Sequence, residues 1–237
     1  MRNRFLILLA FVALPGLARA SEVWRDKPVE EWSREETQEF FRHSPWVHQI
    51  IVTQHHRVAR PASYPTSTAD SQRKSSSAEG IKVEPQFGAN GIPVETAYYV
   101  EWSSAKIVRR AGAHYRALQG KGGEDREPPA LDTYFVTVSG YDLTAFDGHD
   151  ATALKDAAYL RPGDSKDRIR PNKTEVLRGE DGRVIAVRYG FPIEEDGQPL
   201  ISKDEECVTF VCKARHLKLK TRFKSAEMVV GKGHDLL

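Results

Sequence analysis

From about residue 157 onward the chain falls into short runs with apolar residues at every second position. That alternation commits the last third to antiparallel sheet. Ile185, Val187, Tyr189 and Phe191 share one face of a run over 183–191. Val208, Phe210 and Cys212, in 206–213, stand opposite Leu217, Leu219, Thr221 and Phe223, in 216–223, across a turn near Ala214-Arg215. A helix would scatter these side chains around its axis, whereas a strand places them on one side. Runs over 157–161 and 173–178 add two more strands. Asp181-Gly182 predicts a two-residue hairpin turn between 173–178 and 183–191. Short strands at this spacing predict a curved antiparallel sheet or half a sandwich.

The earlier part of the chain mixes periods. Ser33 and Glu36 form a capping box, so a short helix begins at Arg34 and runs to about Arg42, before Ser44-Pro45. Residues 47–54 are rich in β-branched side chains and predict a strand. From Arg57 the chain turns Ser-, Thr- and Pro-rich, too poor in apolar residues to order itself, and 57–82 is expected to be a flexible linker. The strand at 47–54 then either belongs to the arm or joins the main sheet across this excursion. Residues 92–102 predict a strand. Ser103 or Ser104 is expected to cap a helix to about Leu118, with Ile107, Ala111, Tyr115 and Leu118 at helical spacing and Gly120 closing it. Residues 121–129 read as a loop, 131–141 as a strand, and Asp150 as the cap of a short helix to about Ala158. The expected fold class is α+β: an N-terminal helical arm, one longer helix and a mainly antiparallel β C-terminal region. The expected division is a Trp-rich arm plus strand over 21–56, the linker, and an α+β domain over 83–237.

The first twenty residues, MRNRFLILLAFVALPGLARA, predict an export signal: Arg2 and Arg4, an apolar run from Phe5 to Leu14 too short to span a bilayer, then Ala18-Arg19-Ala20 for cleavage. No Cys stands near the cleavage point to take a lipid. The intact chain has 35 basic and 33 acidic residues. The signal holds Arg2, Arg4 and Arg19 and no acid, so the charge drops from +2 to −1 when it leaves. This balance argues against a nucleic-acid partner, which needs a surplus of cations. The expected location is periplasmic or secreted, and no later segment approaches a membrane span.

An exporting route permits disulfides. Cys207 and Cys212 flank Val-Thr-Phe-Val without a turn residue. In a strand they lie on opposite faces roughly 16 Å apart, beyond the reach of a bridge. Two reduced thiols are expected, with Cys212 buried.

Four constellations carry chemistry-bearing residue types. Ser103-Ser104-Ala105-Lys106 holds a Ser-x-x-Lys spacing, and Ser71 to Lys74 repeats it, as chance alone supplies at this composition. Asp147, His149 and Asp150 gather two carboxylates and an imidazole, candidates for a metal or a hydrolytic base with His114 as a further member, though the same letters make a turn and a helix cap. His43, His48, His55 and His56 cluster in sequence, but strand geometry separates His48 from His56 by too much for one ion. Lys213, Arg215, Lys218, Lys220, Arg222 and Lys224 make a basic hairpin whose cations line the outer face of the second strand. It either contacts an anionic polymer or lipid, or guards an exposed strand against aggregation. Trp24, Trp32 and Trp46 either form a recognition surface or pin the arm to the main domain.

Trp24, Lys27-Pro28, Trp32, Glu35-Glu36 and Ser44-Pro45-Trp46 resemble the start of a group of exported bacterial proteins best represented in acidobacteria. Val100-Glu101-Trp102-Ser103-Ser104-Ala105 and the late Arg222-Phe223-Lys224 with Met228-Val229 are similar to the same group. The family has no assigned activity, so the resemblance implies export and a shared fold. The expectation is an exported, non-catalytic interaction or envelope-associated protein, with Trp24, Trp32, Trp46, Lys218, Lys220 and Arg222 as candidate contact residues for an unknown protein or envelope component, and no cofactor. The alternatives are a small secreted metal-dependent hydrolase centred on Asp147–Asp150 and a binder of anionic glycan or lipid through the basic hairpin.

Overall fold

Alternating side chains build two antiparallel sheets that pack through their apolar faces. The structure, a computed structural model, describes residues 22–56, 92–121, 128–202, 204–231 and 233–237. The expected signal, the linker over 57–82 and the second Ser-x-x-Lys copy lie outside the described residues. So do residues 122–127 of the expected loop.

The N-terminal arm holds α1 (Val23–Asp26), a 3-10 turn (Val29–Glu31) and α2 (Arg34–His43). The capping box of α2 is present as expected, Ser33 Oγ accepting from the Glu36 amide and the Glu36 carboxylate accepting from the Ser33 amide. Then come β1 (Val47–His56), β2 (Ile92–Glu101), α3 (Lys106–Leu118) and β3 (Thr133–Gly140). A 3-10 turn (Thr144–Phe146) and α4 (Ala151–Asp156) precede β4 (Tyr159–Pro162), β5 (Lys173–Arg178) and β6 (Val184–Pro192). Two-residue strands β7 (Glu194–Glu195) and β8 (Gln198–Pro199) form a small ribbon, as do β11 (Val229–Val230) and β12 (Gly233–His234). Between the ribbons lie β9 (Cys207–Ala214) and β10 (Leu217–Lys224). The fold is α+β, with helices toward the N-terminus and a mainly antiparallel β C-terminal region.

The larger sheet has the order β1-β2-β3-β6-β5 and the smaller β10-β9-β4, every neighbouring pair antiparallel. Strand β1 pairs with β2 along its whole length, from Val47 opposite Glu101 to His56 opposite Ile92, so the strand after the arm is the edge of the main sheet. The two sheets meet through rings: Phe210 of β9 lies 5.6 Å from Tyr189 and 6.3 Å from Phe191 of β6. Phe223 of β10 lies 5.2 Å from Trp102 and 4.8 Å from His48. Edge-to-face pairs of this kind add to the burial that drives the sheets together.

Three local expectations are corrected. The β5–β6 connection is not a two-residue turn. Gly182 donates to the Gly179 carbonyl and Gly179 to the Arg183 carbonyl, and only Gly182, at φ 76°, is left-handed. This is a three-residue loop ending in a left-handed glycine, the alternative that leaves Asp181 unstrained. Ile185 is exposed while Val187, Tyr189 and Phe191 are buried, because it lies at the start of β6, next to the irregular pairing at Leu177/Arg178. The cap of α3 is neither Ser103 nor Ser104. Ser103 Oγ bonds the Phe135 carbonyl and Thr137 Oγ1, and Ser104 Oγ donates to the Leu236 carbonyl. The Asp235 carboxylate takes their place, accepting from the Lys106 and Ile107 amides at 2.7 Å each.

Candidate functional site

On β9 and β10, odd and even positions part company. Phe210, Cys212, Leu219 and Phe223 turn inward, and Thr209, Val211, Lys213, Lys218, Lys220, Arg222 and Lys224 turn outward. Register then stacks the outward residues in rows across the three strands. Lys218 pairs with Lys213. Lys220 pairs with Val211, and Val211 with Tyr159 of β4. Arg222 pairs with Thr209, and Thr209 with Arg161. Beyond β4, Ile169 bridges Leu160, which sets Arg168 and Arg170 beside Tyr159, their guanidinium carbons 4.6 and 5.8 Å from its ring centre. Eight cations therefore share one face of a three-stranded sheet: Lys213, Lys218, Lys220, Arg222, Lys224, Arg161, Arg168 and Arg170.

Thr209 and Val211 are 3% and 2% exposed although they point outward. Neighbouring charged heads are set by strand geometry, about 4.8 Å between strands and about 6.6 Å along each one. Two carboxylates reach into the face from its rim, Asp164 at 3.4 Å from Arg222 and Glu227 at 2.7 Å from Lys224. Arg161 Nε is buried without a partner among the described residues. Such a face offers repeated charge and donors in a plane. Each exposed ion pair contributes up to about 1 kcal/mol, so binding here grows with the number of anions engaged.

The other expected sites are placed differently. Trp32 and Trp46 are 2% and 0% exposed, so neither ring is available to a partner. Trp46 packs on Trp24 and Phe40 and donates to the Asp235 carbonyl, and Trp32 packs on Phe40 and donates to the Lys27 carbonyl. Trp24 is half-buried against Phe40 and Trp46. Asp150 caps α4 through the Ala153 amide, and Asp147 lies 3.6 Å from Arg178. Asp147 and Asp150 are thus engaged as ion-pair partner and cap, while His149 Nε2 is buried without a hydrogen-bond partner among the described residues. His114 lies on α3 with Nε2 2.8 Å from the Trp32 carbonyl oxygen. No group of three His, Cys, Asp or Glu stands close enough to hold a metal among the described residues. Of the clustered histidines, His48 meets Phe223 edge to face and His43 faces Glu39 at 3.7 Å, while the side chains of His55 and His56 lie outside the described residues. Cys207 and Cys212 are free and buried on opposite faces of β9.

A second polar row crosses the outer face of the larger sheet, Glu101 opposite Thr137, Thr137 opposite Arg188 and Arg188 opposite Glu175. Burial pushes the Glu101 carboxyl up to about 7, against the pull of Arg188. Sequence reading missed Arg161, Arg168 and Arg170 as partners of the basic hairpin. The signal for them was the alternation Arg168-Ile169-Arg170, which places two cations on one side of a buried apolar residue.

No protein-family model, no curated protein and no solved structure matches the chain. Among the described residues no helix is long and apolar enough to cross a membrane.

Proposed function

We propose that the protein is an exported, non-catalytic binding protein that holds a linear polyanion, a polysaccharide carrying carboxylate or phosphate groups, across the outer face of the β10-β9-β4 sheet. The observation that carries this reading is the gathering of eight cations on one planar face in a chain whose overall charge is near neutral. Protection of an edge strand needs cations on β10 alone. It does not account for Arg161 and Arg168, brought in from a different part of the chain; Arg170 beside them also donates to the Asp156 and Ala158 carbonyls at the end of α4. A regular array at strand spacing suits a ligand with repeated charge better than a single small anion. A lipid surface is the weaker fit, because among the described residues the large exposed apolar ones are Ile51, Val94, Leu118, Tyr141, Ile185 and Val230, none of them on this face. Nothing there would insert beneath the headgroups. The signal-like N-terminus supports an encounter outside the cytoplasm, in the cell envelope or beyond.

The test is retention of the chain lacking residues 1–20 on immobilised polygalacturonate, a linear polycarboxylate, eluted with rising salt. Retention is expected and is lost with Lys218→Ala, Lys220→Ala and Arg222→Ala together. A charge-matched control, Arg116→Ala, Lys173→Ala and Arg183→Ala, leaves the elution salt unchanged, since these exposed cations lie off the face. Equal loss in both triple variants would mean that net charge, not the face, sets retention. Binding to vesicles of anionic phospholipid but not to the polymer would reassign the ligand.

A further inference from the structure

Strand β2 is ten residues long, but β3 covers only its last four, from Tyr98 opposite Gly140 to Glu101 opposite Thr137. Ile92–Ala97 have β1 on one side and, among the described residues, no strand on the other. The chain leaves the sheet at Gly140, where a side-chain carbon would sit 2.9 Å from the Ala97 carbonyl oxygen. It then turns away through Tyr141–Thr144. A groove of about 750 Å³ remains along Val94–Ala97, walled by Tyr141–Thr144 and bounded by Asp147, Arg183 and Val184.

Three properties of this groove converge. Its floor is an open strand edge, where alternate residues direct N–H and C=O groups away from β1. Its rim is apolar, with Tyr141 wholly exposed and Val94 41% exposed. Its charge is acidic: Glu95 and Asp142 line it, while Asp147 and Arg183 are each paired outside it, with Arg178 at 3.6 Å and Asp181 at 3.4 Å. Asp142 is held in place by accepting from the Thr144 amide.

We propose that this groove binds an extended basic peptide segment, which adds to β2 in the position β3 vacates and sets Lys or Arg side chains against Glu95 and Asp142. Main-chain pairing supplies affinity, and the alternate side chains supply selectivity. The four β2 residues lining the groove span about 13 Å, room for four to six peptide residues. A second copy of this chain fits less well, since pairing β2 with β2 would bring like acids together across the new ladder. The site is separate from the basic face and takes a ligand of opposite charge.

The test uses the whole chain and fluorescence anisotropy with a labelled Val-Lys-Val-Lys-Val-Lys peptide. Saturable binding is expected. Methylating alternate peptide nitrogens should weaken it about tenfold or more, by removing the donors that pair with the strand edge. The Val-Glu counterpart should not bind, and Glu95→Lys, at an exposed position, should weaken the basic peptide and admit the acidic one. The proposal is overturned by no saturable binding, by equal binding of the methylated peptide, by indifference to Glu95→Lys, or by sedimentation that finds the chain paired with itself through this edge.

Discussion

Asp235 joins parts of the chain 128 residues apart, because its carboxylate closes the first turn of α3. The same stretch is held by the Trp46 and Trp102 indoles, which donate to the Asp235 and Leu236 carbonyls at 2.8 and 2.9 Å. Asp235→Ala removes two charge-assisted bonds to a helix N-terminus and should lower stability by about 1–2 kcal/mol, read as a fall in the urea midpoint. Glu101 acts in the opposite sense. Its carboxyl is raised from 4.5 to about 7 in the folded state, so folding takes up a proton between those values. The stability it contributes is therefore full below pH 4.5, falls as pH rises through that window and is gone above 7, each pH unit crossed removing up to about 1.4 kcal/mol. Burial lowers His48 below 6.5, which removes stability as the solution is acidified and masks part of this slope. The difference between wild type and Glu101→Gln isolates it. The variant should be the more stable at pH 8 and lose that advantage by pH 4.5, in parallel urea titrations.

At the scale of elements, the two hairpins reach their geometry by different routes. The β9–β10 pairing was legible because one residue pattern fixes both strands: Val208, Phe210 and Cys212 must face Phe223, Thr221 and Leu219. The β5–β6 loop was not, because Asp181-Gly182 suits two turn types and only the pairing of Gly179 with Arg183 chooses between them. The β2–β3 junction depends on a close backbone approach. Gly140→Ala would force a methyl against the Ala97 carbonyl, and this backbone atom cannot swing aside as a side chain would. A loss of about 1–3 kcal/mol is expected, checked by thermal unfolding, with amide exchange accelerating first around Tyr98 and Ser139. The basic face combines both cases. Its β10 half is written in the spacing of Lys218, Lys220 and Arg222, but its β4 half depends on which strand lies beside β9.

At the scale of the whole molecule, the arm and both sheets share one apolar core, from Val29, Trp32 and Phe40 through Tyr98 and Val136 to Phe210 and Leu219. Phe40 is fully buried and touches Trp24, Trp32, Phe41 and Trp46. Phe40→Ala should therefore cost about 3–5 kcal/mol and destabilise the sheets along with the arm. With Trp102, which sits between the sheets, replaced by Phe, tryptophan fluorescence reports the arm; it and far-ultraviolet circular dichroism, dominated by the sheets, should give coincident urea transitions before and after Phe40→Ala. A transition of the arm at lower urea than the sheets would show that it is docked rather than integral.

The sequence by itself determined the α+β class, the strand faces of β9 and β10, the capped helix over Arg34–His43 and the opposed, unbridged cysteines, since each follows from periods and caps acting over a few residues. Tertiary structure alone decided that β1 borders the main sheet, that Trp32 and Trp46 are interior, that Asp235 replaces Ser103 or Ser104 at α3, and that Arg161, Arg168 and Arg170 join the basic hairpin. Those outcomes rest on contacts between residues far apart in the chain. Local pattern states which side of a strand a residue faces; it does not state which neighbour lies beside it.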